Sequence, residues 1–336
     1  MNARTTLAPA LGLALLVGAI APMIAGSPTL VDTAIVIAIY GLIALSVGVT
    51  YGMTGLLSVA QASLAAVGAY VTAILSANFG WSPWLTAPLA ILAPAAFAYP
   101  FARVVTRLSP LALAIATLMF GYAFDIAVRE GGDLTGGYIG LSGIPTAPGV
   151  ESPIAYYALA WGVVIVAVAG YTIIRQSHIG AALRTIRSDA LRASADGIDV
   201  PHLRSVSMAI GGALAGAAGW LYAHHLTYLG PESLGPALSL SAILMAVVGG
   251  VRSVTGPLLG AALLTLVHKF IPGQEVLGIF YGSAMIICLL IAPEGLTGLL
   301  SRGWRRARHR STPVAATSER QEINLPQHAA AAGDRP

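Results

Sequence analysis

Charge is scarce in this sequence. Asp, Glu, Lys and Arg make up 10% of its 336 residues, where a soluble domain carries about 25%. Loops alone cannot absorb that deficit, so a soluble globular enzyme is excluded. Mean hydropathy is +0.78, and the apolar stretches are continuous rather than alternating, which selects membrane helices over a β-barrel. Lysine is scarcer still: Lys269 stands alone, followed by Phe270. A phosphate-binding Walker A loop needs Gly-Lys-Ser/Thr. The chain has none and is not expected to hydrolyse ATP or to be an enzyme. The single cysteine, Cys288, can form no internal disulfide and no thiolate cluster, and reads as core packing. His224 and His225 are neighbours, so on a helix they point about 100° apart; they read as a polar cap rather than a metal pair. Asp32 and Asp125 fall near span ends. Acids within a membrane are functional candidates by default, but no chain of buried acids supplies a proton relay. No cofactor is expected.

What is present is a series of apolar runs near the ~20 residues a spanning helix needs. They cover about 7–25, 30–50, 56–78, 84–105, 109–128, 153–174, 203–223, 235–250, 256–271 and 276–299. The expected fold is all-α and polytopic, with about ten transmembrane helices (eight to ten, because the eighth and ninth runs are short). The first run reads as a retained helix rather than a cleaved signal. Arginines fall between spans four and five, between six and seven, after eight and after ten, all on the side of Arg4 in a ten-span parse. The positive-inside rule then places both termini in the cytoplasm. The isoelectric point of 9.3 reflects that orientation, not nucleic-acid binding. Residues 1–300 read as the membrane domain. Residues 301–336 read as a basic segment that meets anionic headgroups, followed by a disordered cytoplasmic tail.

Two segments depart from plain apolar helix. The stretch "TYGMTGLLSVAQASLAAVGAY" (50–70) carries Gly52, Thr54, Gly55, Ser58, Gln61 and Ser63. Small and hydroxyl residues let membrane helices approach closely, and a broken helix turns free backbone groups toward a substrate. Close packing without substrate contact explains the same residues. The second segment is the long inside loop, "RQSHIGAALRTIRSDALRASADGIDVPHLR" (175–204). Leu183, Ile186, Ala190 and Ala193 recur at helical spacing, with Arg184, Arg187 and Arg192 on other faces. Ser188 or Asp189 can cap a second short helix, and Gly197 suits its C′ position. The pair lies on lipid or docks a soluble partner. A five-plus-five parse sets 51–61 opposite 226–235 in an inverted repeat.

Five blocks in order carry a resemblance: "YGMTGLLSVAQASLAAVGAY", "DLTGGYIGLSGIP", "GAALRTIRSDALRASADGIDV", "GALAGAAGWLYAHHLTYLGPES" and "MAVVGGVRSVTGPLLGAALL". Over about residues 30–300 the chain resembles permease subunits of ABC importers for branched-chain amino acids, the M type of the high-affinity system. The resemblance implies a bacterial inner-membrane complex with a homologous second permease subunit, two cytoplasmic ATPase subunits and a periplasmic substrate-binding protein. It implies that 177–204 is the coupling loop, with Arg187, Asp189, Ala190, Ala193 and Gly197 as its working residues. Gly52, Gly55, Ser58, Gln61, Gly136, Gly137, Gly230 and Glu232 are expected along the translocation pathway. The family often has Gly-Gln-Leu-Ser-Leu-Gly-His where this chain has Gly55-Leu56-Leu57-Ser58-Val59-Ala60-Gln61. A polar side chain is lost at 56 and an imidazole at 61, which leaves branched-chain amino acids, urea or amides, and aromatic acids all open. A secondary transporter or a channel is the alternative class.

Overall fold

The computed structural model describes residues 3–270 and 295–298. The expected tenth span, Cys288 and the 301–336 segment lie outside the described residues, apart from the four at 295–298. The helices are α1 (Ala3–Ile24), α2 (Pro28–Thr54), α3 (Gln61–Ala73), α4 (Pro83–Val105), α5 (Pro110–Arg129), α6 (Pro153–Gln176), α7 (His178–Ser188), α8 (Ala190–Ala195), α9 (Val200–Leu226), α10 (Pro236–Gly249) and α11 (Gly256–Phe270). α3 runs on through a π-helical turn, Ile74–Asn78. Five helices, α2, α4, α5, α6 and α9, are each long and apolar enough to cross a membrane. The protein is an all-α, polytopic membrane protein. Two residue pairs form a short antiparallel ladder between β1 (Leu141–Ser142) and β2 (Tyr228–Leu229), Leu141 opposite Leu229 and Ser142 opposite Tyr228.

Starts are set by proline and hydroxyl chemistry. Pro28, Pro83, Pro110, Pro153 and Pro236 sit in the first turn of their helices, where the missing N–H has no intrahelical partner to lose. Ser109 and Ser152 cap α5 and α6 by accepting from Ala112 and Ala155. α2 and α9 form the centre, and α3 packs beside them. The side chains of Ile35, Ile39, Leu42, Leu45, Leu64 and Leu221 are fully enclosed there. α4 and α5 present Leu85, Leu92, Leu111 and Ile115 outward, as a bilayer solvent requires.

α4 carries Pro88, Pro94 and Pro100 inside the helix. Pro94 has no N–H to offer the Ala90 carbonyl one turn back. That oxygen instead meets glycines of two other helices. A Cβ built on Gly68 would lie 2.7 Å from it, and one on Gly216 would collide with it. Glycine at these places lets three backbones close together.

α2 and α9 share a pattern. Each has 27 residues, and each ends at a left-handed residue, Gly55 (φ 73°) and Thr227 (φ 55°). Each continues through an irregular link into a shorter helix, α3 or α10. They point in opposite directions: α2 ends beside α7, whereas α9 starts just after α8 and ends at β2. This is the relation an inverted five-plus-five repeat demands. We call the α7–α8 side the basic end and the β1–β2 side the ladder end.

Candidate functional site

The break in the 50–70 stretch spans Gly55–Ala60. A break inside a membrane frees backbone N–H groups that lipid cannot satisfy. Here hydroxyls take them. Leu56 N donates to Thr54 Oγ1 (3.3 Å), Val59 N to Thr117 Oγ1 of α5 (3.0 Å), Ala60 N to Ser58 Oγ (3.3 Å) and Ala62 N to Ser239 Oγ of α10 (3.0 Å). The Gly55 N–H closes α2 on the Tyr51 carbonyl at 3.0 Å. Ser58 and Gln61 are fully buried. Ser46 Oγ donates to Gln61 Oε1 (3.0 Å), and Gln61 Nε2 donates to Thr50 Oγ1 (3.3 Å) and faces Met208 Sδ at 3.9 Å. Gln61 thus ties α3 to α2 and α9. In this conformation Ser58 and Gln61 frame the break rather than face open space. Ser63 Oγ is enclosed without a hydrogen-bond partner among the described residues.

At the basic end the break is joined to the α7–α8 loop. An Arg187 Nη1–H donates to the Gly52 carbonyl, and the guanidinium lies over the Tyr51 ring, 5.6 Å from its centroid. A Cβ on Gly55 would rest 3.5 Å from Arg187 Cγ. Burial, and then the charge of Arg252, hold the Arg187 pKa below its ordinary value. Arg175, Arg184, Arg187 and Arg252 surround a cavity of about 250 Å³ beside Gly52. Ser177 caps α7 by accepting from Gly180 (3.3 Å). Asp189 is the cap of α8, its Oδ1 accepting from Leu191 and Arg192 at 3.0 Å each. Gly197 has φ 82°. The Gly197 N–H bonds Ser194 O and the Ile198 N–H bonds Ala193 O, which is a Schellman close. Ala193 is fully buried against Ile186 and Val200 and supports the loop from within, with Ala190 beside it. The residue that points away is Leu191, 84% exposed. Helical spacing alone could not separate the inward from the outward face.

At the ladder end the strand pairing gathers Gly136, Gly137, Gly230 and Glu232. Gly136 and Gly137 take positive φ in the turn before β1, and Gly230 follows β2. Arg129 binds Asp125 (Nε to Oδ2, 2.8 Å) and reaches Glu232 Oε1 at 3.2 Å. Asp125 is therefore half of an ion pair. Tyr70 of α3 contacts the Leu229 carbonyl at 3.5 Å, so α3 runs from the break to this cluster. His224 is enclosed between Thr72 Oγ1 (2.8 Å from Nε2) and the Pro145 carbonyl (2.7 Å from Nδ1). The carbonyl can only accept, so Nδ1 carries a proton. His225 Nε2 meets Asp32 Oδ1 at 2.8 Å. Among the described residues no group of three or more metal-ligating side chains comes together.

A long helix α2 that runs from the ladder end to the basic end, a hydroxyl-lined link, and a helix α3 that returns to the ladder end are the frame of a multi-pass membrane transport protein. Comparison with known proteins makes this specific. Residues 29–292 match the family model described as branched-chain amino acid transport system / permease component, and the chain belongs to that family. It is 28% identical over 312 residues to the high-affinity branched-chain amino acid transport system permease protein LivM of Salmonella typhimurium, covering 84% of this chain and 73% of the relative. The same values of identity and coverage hold over 311 residues for LivM of Escherichia coli. A probable branched-chain amino acid transport permease protein LivH of Methanocaldococcus jannaschii is 28% identical over 290 residues, with 77% of this chain and 88% of the relative covered. No solved structure matches.

Proposed function

We propose that this chain is the permease subunit of an ATP-binding-cassette importer in a bacterial inner membrane. It moves branched-chain amino acids from a periplasmic binding protein to the cytoplasm, beside a homologous permease subunit and two ATPase subunits. Both termini face the cytoplasm, as does the basic end, following its arginines. The observation that carries this reading is the linkage at that end. A capped two-helix loop presents exposed Leu191, while Arg187 of the same loop grips the last turn of α2 beside the Gly55 hinge. A push on the loop from a soluble motor reaches the break through one guanidinium. Arg187, Asp189, Ala190, Ala193 and Gly197 build the coupling element. Gly52, Gly55, Ser58 and Gln61 frame the gate, and Gly136, Gly137, Gly230 and Glu232 shape the outer mouth. The substrate is taken from the names of the relatives.

Replacing Leu191 with Glu tests the coupling. A carboxylate cannot enter a dry docking cleft without a large desolvation cost. ATP-driven leucine uptake into proteoliposomes containing the full complex should fall at least tenfold while the permease itself still inserts and purifies normally. Uptake at the wild-type rate overturns the assignment.

A further inference from the structure

A second cavity, about 440 Å³, lies between α2, α10 and α11. It is built from one face of each helix: Asp32, Val36 and Tyr40 on α2, Leu238, Ser241 and Met245 on α10, Thr265, His268 and Lys269 on α11. Its volume is that of an ordinary small-molecule site. Its polarity is graded. Asp32 and Lys269 stand toward the N-terminal end of α2, and Val36, Tyr40 and Met245 line the part further along. The only lysine of the chain is here. Its ammonium donates to the Thr29 carbonyl (3.2 Å) and to Thr33 Oγ1, and it makes no ion pair among the described residues. Asp32 is held by His225, with its side chain 62% exposed. Two opposite charges thus share a wall without neutralising each other. Thr265 Oγ1, also in the lining, is enclosed and has no hydrogen-bond partner among the described residues.

Both charges stand near helix ends, Asp32 in the second turn of α2 and Lys269 in the last turn of α11, where a ligand entering from the aqueous side meets them first. We propose that this cavity is a transit site for a zwitterionic α-amino acid with an apolar side chain. Asp32 receives the ammonium, Lys269 with the Thr265 hydroxyl receives the carboxylate, and Val36, Leu238 and Met245 receive the side chain. The proposal rests on the reading of the chain as an amino-acid permease, and it selects among the substrate classes open at the sequence level. Urea and amides bring no charges to use the pair. An aromatic acid brings only the anion and leaves Asp32 unmatched.

The test uses the full-length chain in lipid nanodiscs with radiolabelled L-leucine. Competitors are isoamylamine, which lacks the carboxylate, 4-methylpentanoate, which lacks the ammonium, and phosphoethanolamine, which mimics a lipid headgroup. Asp32→Asn should weaken leucine about tenfold or more and leave 4-methylpentanoate unchanged; Lys269→Met should weaken leucine similarly and leave isoamylamine unchanged. Uniform loss for every probe would mean a structural role and overturns the proposal. So does unaltered leucine binding in both variants, the absence of saturable binding in the millimolar range, or phosphoethanolamine competing better than leucine competes with itself. ATP-driven uptake by the complete complex is measured in parallel. Leucine uptake that is indifferent to both substitutions removes the cavity assignment and leaves the importer reading standing; no leucine uptake at all removes the importer's substrate.

Discussion

Gly55→Ala isolates the hinge. Gly55 sits at φ 73°, ψ 9°, and an L-residue with a Cβ is disfavoured there by about 1–2 kcal/mol. Steric crowding adds nothing, because the nearest atom to the new methyl is Arg187 Cγ at 3.5 Å. The whole effect is therefore torsional, a destabilisation of about 1–2 kcal/mol. Asparagine enters the left-handed region more readily, so Gly55→Asn should recover much of it. Gly52 is the contrast. In an unobstructed helix Ala would gain about 1 kcal/mol over Gly. At Gly52 the added carbon would instead run into the Val251 carbonyl oxygen, and Asn would fare no better than Ala. Gly162 in α6 has nothing within 4 Å of an added Cβ and serves as the control. Thermal unfolding of the purified protein, followed by tryptophan fluorescence, should rank Gly162→Ala at or above wild type, then Gly55→Asn, then Gly55→Ala. Gly55→Ala should also slow uptake in complexes that still assemble. Gly55→Ala as stable as wild type, or Gly55→Asn below Gly55→Ala, would refute the torsional argument.

The remaining predictions concern orientation and the second long helix. With Cys288→Ser as background, single cysteines at Ser142 and Ser194, both exposed, should react with an impermeant maleimide from opposite sides of the membrane; labelling from one side would break the proposed topology. Thr227 is the one non-glycine residue at positive φ among the described residues. Thr227→Gly should raise stability by about 0.5–1 kcal/mol, torsional relief exceeding the added chain entropy; a lower melting temperature would show that the Thr227 side chain holds the turn.

Much of the frame was legible because it follows from local rules. Apolar runs of spanning length located α2, α4, α5, α6 and α9. The Gly and Ser cluster located the break, and Asp189 and Gly197 bracketed α8 through their capping chemistry. Other features depend on which surfaces meet. The run from 56 reads as continuous helix, yet α3 starts at Gln61, because Thr117 and Ser239 on distant helices satisfy the interrupted backbone. Ala190 and Ala193 read equally as a docking face or a packing face. Only the position of Val200 shows that Ala193 faces its own bundle, leaving Leu191 as the exposed apolar tip. Asp125 reads as an isolated intramembrane acid until Arg129, one turn on, folds back over it. The α2–α10–α11 cavity joins residues more than two hundred positions apart, so no local pattern announces it.

The bare carbonyl of Ala90 also constrains how the chain is made. α4 leaves the ribosome with its Pro94 gap already present, and at that moment only α3 exists to cover it. The second cover, Gly216, belongs to a helix synthesised much later. α4 must therefore wait in the bilayer with an incompletely satisfied backbone, held by Gly68 alone, until α9 inserts. Slowing translation between α4 and α9 should lengthen the interval in which the half-made protein is open to membrane proteases. Restoring an N–H with Pro94→Ala should shorten that vulnerability.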